Sequence, residues 1–203
     1  MNDISSVVGR DVSRETYNGV KRFAELLLNE NRTQNLVSKA SEPDLWNRHI
    51  VDSAQLLRFA SPGQSWTDIG TGPGLPGVVL AILDPGRMIL VEPRRRRVQF
   101  LEEVASALRL ANVKIVHGKS DATRSKTDLI TARAVASPGD LFAMSSHLRH
   151  AGTTYVLPRG RRAESELAEL ENTWQGEFTL HRSLTSGEAS ILVARNVRRR
   201  GPR

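Results

Sequence analysis

The segment Trp66-Thr67-Asp68-Ile69-Gly70-Thr71-Gly72-Pro73-Gly74-Leu75-Pro76-Gly77 restricts what this chain can fold into more than any other. An apolar lead, a run with four glycines in eight residues, and the apolar stretch Val78 to Leu83 read as strand, tight turn and helix start. Glycine at this density weakens a fold unless the backbone needs positive φ or must approach something that a Cβ would obstruct. Pro76 suits the first helical turn, where its missing N–H costs nothing. Free N–H groups at such a helix start attract polar or anionic groups. A single Gly-x-Gly is equally well a turn with no ligand. Four glycines directly after an apolar strand ending in Asp68 point to a bound one.

Two ligands compete. Gly72-x-Gly74-x-x-Gly77 matches the dinucleotide fingerprint, and Glu92 follows Gly72 by 20 positions, where a ribose-binding acid stands. S-adenosylmethionine carries a ribose too, so Glu92 fits either. The carboxylate of Asp68, two residues before Gly70, would repel a pyrophosphate but suits an ammonium and a sulfonium. Hydride chemistry also lacks a Tyr-x-x-x-Lys pair, since Tyr155 is followed by Arg159. S-adenosylmethionine is therefore the expected cofactor, held by Gly70, Thr71, Gly72, Gly74 and Glu92, with an NAD-binding Rossmann enzyme as the alternative.

With 203 residues, 39% of them hydrophobic, the chain can bury one sizeable core and carry an appendage. A net charge of +7 calls for a polyanionic partner, nucleic acid first, with an anionic membrane surface or plain solubility as alternatives. Cysteine is absent, which excludes disulfides, thiolate metal sites and the covalent cysteine route to methylating pyrimidine C5. No metal site is expected. The start Met1-Asn-Asp-Ile-Ser-Ser6 lacks the pattern of a signal peptide. The longest uncharged apolar stretch, Ile69 to Leu83, is too short and too rich in Gly and Pro to span a membrane. The expectation is a cytoplasmic monomer with no membrane association.

In chain order, Ser13 caps a helix to about Asn31, with Val20, Phe23, Ala24, Leu27 and Leu28 on its apolar face. Pro43 starts a second helix to about Phe59, with Leu45, Ile50, Val51, Ala54 and Leu57 inward. His49 and Asp52 sit three apart on it, either as a local hydrogen bond or as contacts for ligand or RNA. Ser61-Pro62-Gly63 separates this helical appendage, residues 1–60, from a sheet domain, residues 61–195. The strand Met88 to Val91 leads into Arg94 to Arg97, four cations opposing the dipole of the next helix: a solvated run, or contacts to RNA phosphates.

Val113 to His117 reads as a third strand. Ser120-Asp121 in the loop beyond it faces the ligand crevice, where an Asp can accept from an adenine amino group, an ordinary polar loop being the alternative. Asp128 to Ala132 forms the fourth strand, with Arg133 on the rim shared with the glycine turn. A helix from Pro138, a fifth strand ending near Arg159, a charged helix and a hairpin (Glu177 to Leu184, Glu188 to Arg195) follow. Residues 196–203 form a basic tail expected to be disordered. The fold class is α/β, a seven-stranded, mostly parallel sheet with a C-terminal antiparallel hairpin. That arrangement suits a Rossmann-like class I methyltransferase.

Gly70-Thr-Gly-Pro-Gly-Leu-Pro-Gly77 resembles a signature of the ribosomal small-subunit methyltransferase G family, also known as glucose-inhibited division protein B. Asn35-Leu36-Val-Ser, His49-x-x-Asp52-Ser53, Arg97-x-x-Phe100-Leu101 and Ala132-Arg133-Ala134 agree in order, so the resemblance covers about Ser13 to Arg195. It implies methylation of guanine N7 in the decoding region of 16S rRNA, with 16S rRNA or the small ribosomal subunit as partner. Cofactor contacts are implied at Gly70, Leu75, Ser120, Asp121 and Arg133. Asn35, His49, Arg95 and Arg159 are the candidate RNA contacts. Arg159-Gly160 replaces the family's common Lys-Gly, and Ser120-Asp121 its short acidic pair. No acid/base constellation stands out among five scattered histidines, which suits N7, a nucleophile that needs no general base. A methyltransferase for another RNA or a small molecule is the alternative.

Overall fold

Every residue of β1 (Trp66–Ile69) and β2 (Met88–Glu92) is buried, as for central parallel strands covered on both faces. The computed structural model describes residues 2–201. Its sheet has seven strands in the order β3-β2-β1-β4-β5-β7-β6. The others are β3 (Val113–His117), β4 (Leu129–Thr131), β5 (Thr154–Arg159), β6 (Trp174–Arg182) and β7 (Ser190–Arg199). Neighbouring strands from β1 to β5 pair in parallel, whereas β7 runs antiparallel to both β5 and β6. The expected C-terminal antiparallel hairpin is present as β6 and β7. The strand order reverses direction between β1 and β4, and in open α/β sheets a ligand crevice lies at the carboxyl ends beside such a switch.

On the sheet pack α4 (Gly77–Leu83), α5 (Arg95–Ala107), α6 (Pro138–Met144) and α7 (Ala163–Thr173). Before β1 stand α1 (Asn2–Val8), which no sequence pattern announces, and α2 (Arg14–Asn31). Ser13 caps α2 by accepting from the Thr16 N–H at 3.1 Å. Val20, Phe23, Ala24 and Leu27 are buried as expected, but Leu28 is exposed. It follows Leu27 by a single residue, about 100° round the helix, and so leaves the apolar stripe.

The second helix is not one helix. It opens as a 3₁₀ turn (Glu42–Asp44), widens to a π-helical stretch (Trp46–Val51), passes through α3 (Asp52–Ala54) and ends in a 3₁₀ turn (Gln55–Phe59). Its apolar residues Leu45, Ile50, Val51, Ala54 and Leu57 are nevertheless all buried. They share one hydrophobic cluster with Phe23 and Leu27 of α2 and Leu80 of α4. The expected appendage thus packs into the core of the sheet domain. Arg10 reinforces the join, donating to the Asp84 carboxylate at 2.8 Å and the Leu83 carbonyl at 3.2 Å.

The basic C-terminal stretch differs from its expected disorder. Arg198 and Arg199 belong to β7, opposite Gln175 and Trp174. The Arg200 N–H donates to the Thr173 carbonyl at 2.9 Å. Residues 202 and 203 of the tail lie outside the described residues. Among the described residues, no helix is long and apolar enough to cross a membrane, and no cluster of His, Cys, Asp or Glu could hold a metal.

Candidate cofactor and substrate site

The glycine turn lies over the carboxyl end of β1 and closes into α4. A Cβ on Gly77 would stand 2.3 Å from Leu90 Cδ2 and 2.8 Å from Asp68 Oδ2, so this glycine lets α4 settle on the sheet. Gly72 is different. Its φ is +59°, and the nearest atom to a Cβ there is Arg97 Nη1 at 3.4 Å. A Cβ at Gly72 would make only ordinary van der Waals contact with the protein, and Gly72 lines the cleft into which a larger side chain would grow.

Two acids hold the turn. Asp68 is 0% exposed; its Oδ2 accepts from the Thr71 hydroxyl at 2.6 Å and from the Gly77 N–H at 2.8 Å. Its Oδ1 has no hydrogen-bond partner among the described residues. Burial pushes the carboxyl up to about 7, against the Thr71 and Gly77 bonds and the Arg133 charge, which pull it down. Asp68 is therefore buried beneath the turn, bracing Thr71 and Gly77, and is not among the residues that line the cleft above it. Glu92, at the end of β2, accepts from the Gly72 N–H through Oε2 and from the Arg94 N–H through Oε1, both at 2.9 Å.

Above them opens a cleft of about 370 Å³. Gly70, Thr71, Gly72, Leu75, Glu92 and Arg133 line it, six of the nine residues expected at the cofactor. Gly74 is buried outside this lining. Ser120 is also outside; its hydroxyl donates to the Met144 carbonyl at 2.9 Å, while Asp121 is exposed. Sequence reasoning missed Arg97 and Val135 as lining residues. Val135 packs against Gly70 from the β4–α6 loop, a contact that no local pattern announces. The cleft suits a cationic nucleoside donor. Gly72 in its lining carries no side chain, and Glu92 offers a carboxylate for hydroxyl groups.

A second cavity, of about 270 Å³, adjoins the first through Arg133 and Ala134. Asp52, Arg159, Ser183 and Ser190 are among its walls. Arg133 Nη1 stands 3.8 Å from Asp52 Oδ2, with the two side chains 23% and 19% exposed. Arg159 is pinned by Glu166 at 2.8 Å and by the Ala136 carbonyl at 3.2 Å. Asp52 does not bond His49. Its Oδ1 accepts from Gln55 at 2.7 Å and Thr185 at 2.6 Å instead. The π-helical stretch is wider than an α-turn, so residues three apart lose the stacking that the local-pair reading assumed. Both His49 ring nitrogens are buried without hydrogen-bond partners among the described residues. Burial, then the Arg133 and Arg48 charges, push its pKa down to about 4. His49 is neutral at pH 7 and offers a phosphate no charge.

A third recess joins Gln34 and Asn35 to Arg94 through Arg97, and shares Arg94 and Arg97 with the cofactor cleft. Buried Asn31 shapes the loop that carries Asn35, accepting from the Leu36 N–H at 2.6 Å and the Val37 N–H at 2.8 Å. The candidate RNA residues thus divide: Asn35 and Arg95 at the arginine rim, Arg159 in the second cavity, and His49 lining none of the three.

The sheet order, the glycine turn and Glu92 together define a Rossmann-like class I S-adenosylmethionine-dependent methyltransferase. Solved structures agree at the level of fold. An S-adenosylmethionine-dependent methyltransferase from Aquifex aeolicus superposes with a TM-score of 0.62 at 15% identity, over 77% of this chain and 94% of its own. M. jannaschii TYW2 in complex with AdoMet gives 0.57 at 14% identity, over 74% and 76%. The family model for rRNA small subunit methyltransferase G matches residues 16–195, and the chain belongs to that family. Ribosomal RNA small subunit methyltransferase G of Rhizorhabdus wittichii is 40% identical over 195 residues, 94% of this chain and 90% of that protein. Its counterpart in Zymomonas mobilis is 37% identical over 196 residues, 92% and 88% of the two.

Proposed function

We propose that this protein methylates N7 of a guanine in the decoding region of 16S rRNA, acting as a cytoplasmic monomer on the small ribosomal subunit. The observation that carries the reading is the continuity of three recesses: a cofactor cleft, a base-sized cavity joined to it at Arg133, and an arginine rim joined to it at Arg94 and Arg97. S-adenosylmethionine, held at Gly70, Thr71, Gly72, Leu75 and Glu92, supplies an electrophilic methyl group.

Guanine N7 has an unprotonated lone pair at neutral pH, so no side chain has to remove a proton. The task left to the protein is placement. Exposed Arg95 and Arg96, with Asn35, hold the RNA backbone by charge and hydrogen bonding. The guanine leaves its stack to reach the second cavity, which favours a loop nucleotide. Arg133 and Arg159 donate to the base there and leave N7 free.

The test is incubation of small subunits lacking the modification with methyl-labelled cofactor, followed by mapping of the label. Label on guanine N7 at one 16S rRNA position supports the reading. Label on another base, or on ribosomal protein, contradicts it.

A further inference from the structure

Asp52 lines the second cavity, and its link to the cofactor cleft is the loose pairing with Arg133, which both recesses share. Its Oδ1 is fully engaged by Gln55 and Thr185, which fix the rotamer. Gln55 is buried and also accepts from the Leu184 N–H at 2.8 Å, so the β6–β7 turn and the N-terminal helical layer hold the carboxylate from two sides. Oδ2 is left facing Arg133 at 3.8 Å, beyond hydrogen-bond reach. The outer oxygen and the guanidinium therefore keep bonding capacity for a third party that enters between or beside them.

Building on the guanine-N7 reading, we propose that Asp52 is the residue that selects guanine, its free Oδ2 accepting from both N1–H and N2–H₂ while Arg133 donates to O6. Around the guanine ring, N7, O6, N1–H and N2–H₂ follow one another as acceptor, acceptor, donor and donor. Passing from the cofactor cleft through shared Arg133 to Asp52, the protein offers the methyl source, a donor and an acceptor in the same order. Adenine would set its amino group against Arg133 and its bare N1 against a carboxylate, so both contacts would reverse sign. A site built to bond a substrate N–H strongly rejects an analogue that lacks it.

The test uses small subunits reconstituted with 16S rRNA carrying guanosine, inosine or adenosine at the methylated position. Inosine keeps N7, O6 and N1–H and lacks only the N2 amino group. The wild-type protein should show kcat/KM for inosine lower by about 10- to 100-fold, and no transfer to adenosine. In Asp52→Asn, the bonds from Gln55 and Thr185 hold the amide oxygen at the Oδ1 position and turn the amide N–H₂ towards the base. That variant should lose a comparable factor on guanosine, should no longer distinguish guanosine from inosine, and should bind S-adenosylmethionine with unchanged affinity by calorimetry. Thr185→Val removes a support but not the acceptor, so it should keep the inosine penalty.

Equal rates of the wild type on guanosine and inosine would overturn the assignment, and that comparison needs no variant to fold. A full inosine penalty surviving in Asp52→Asn would overturn it as well. Label at guanine N7 without an inosine penalty removes the Asp52 assignment alone. Label at another atom or nucleotide removes the guanine-N7 reading, and this inference with it.

Discussion

Gly72 and Gly77 stand five residues apart in one signature, and the structure gives them different work. Gly72→Val would fill the cleft floor, so S-adenosylmethionine affinity should fall by about 100-fold or more, with the fold retained at a strain cost of about 1–2 kcal/mol. Calorimetry that finds undiminished binding would remove the cleft from consideration. Gly77→Ala drives a Cβ into Leu90 and Asp68 and should instead destabilise the protein by about 1–3 kcal/mol, read as a lower urea midpoint. The sequence announces that glycines are needed here, but not which one serves the ligand, because that depends on what the fold places opposite each.

Two ionisable groups, half-buried His49 and fully buried Asp68, respond to pH in opposite senses. His49 titrates near 4 in the folded chain against 6.5 for the free side chain, so in between the unfolded chain binds more protons. Its contribution to stability is complete above pH 6.5 and is lost as pH falls through about 4. Asp68 runs the other way, since its raised pKa makes its contribution complete below pH 3.8 and lost as pH rises through about 7. His49→Gln should flatten the rise of stability with pH between about 4 and 6.5, measured by urea unfolding at several pH values. An unchanged slope would mean that the ring is protonated freely and is not desolvated.

At the scale of elements, α5 starts with cations where the helix dipole disfavours them, at a cost of a few tenths of a kcal/mol each (about 0.3–1 in exposed settings). On the proposed function, RNA held at the recess shared with Asn35 would offset that cost. Arg97 also lines the cofactor cleft, so only Arg95 and Arg96 test RNA binding cleanly. Replacing both with Ala should weaken RNA binding and reduce the slope of log K against log salt by about 0.7–0.9 for each phosphate that is no longer neutralised, with cofactor affinity unchanged. The same slope as wild type would leave these arginines as solvated charge.

Regular elements are legible because their signals are local: Ser13 as the cap of α2, the 3.6-residue stripe of α5, the turn before β7. The π-helical stretch is not. Its apolar residues satisfy an ordinary helical stripe, and no local pattern in Trp46–Val51 marks the wider turn. That one irregularity separates His49 from Asp52 and frees the carboxylate for Thr185.

At the scale of the molecule, alternating strands and helices predict the sheet, and the switch between β1 and β4 puts Gly70 and Arg133 on one rim. Other parts of the site come from distant chain. Asp52 and Thr185 meet across 133 positions, and neither carries a periodicity or motif that names the other. Gln55 is the buried fastener of that meeting. Gln55→Ala would strip acceptors and donors from the β6–β7 turn and should cost roughly 2–3 kcal/mol, seen as a lower unfolding midpoint. No change in midpoint would show that the turn is held elsewhere. Ser120 and Asp121 illustrate the converse: the loop sits at the expected carboxyl end of β3, yet Ser120 faces α6 and neither residue lines the cleft.

The most direct measurement is a crystal structure of the protein with S-adenosylmethionine bound. The donor should lie over Gly72, with its ribose hydroxyls on Glu92 and its methyl group turned towards Arg133 and the second cavity. A donor lodged in any other recess, or a methyl group facing away from Arg133, would contradict the assignment of the cleft.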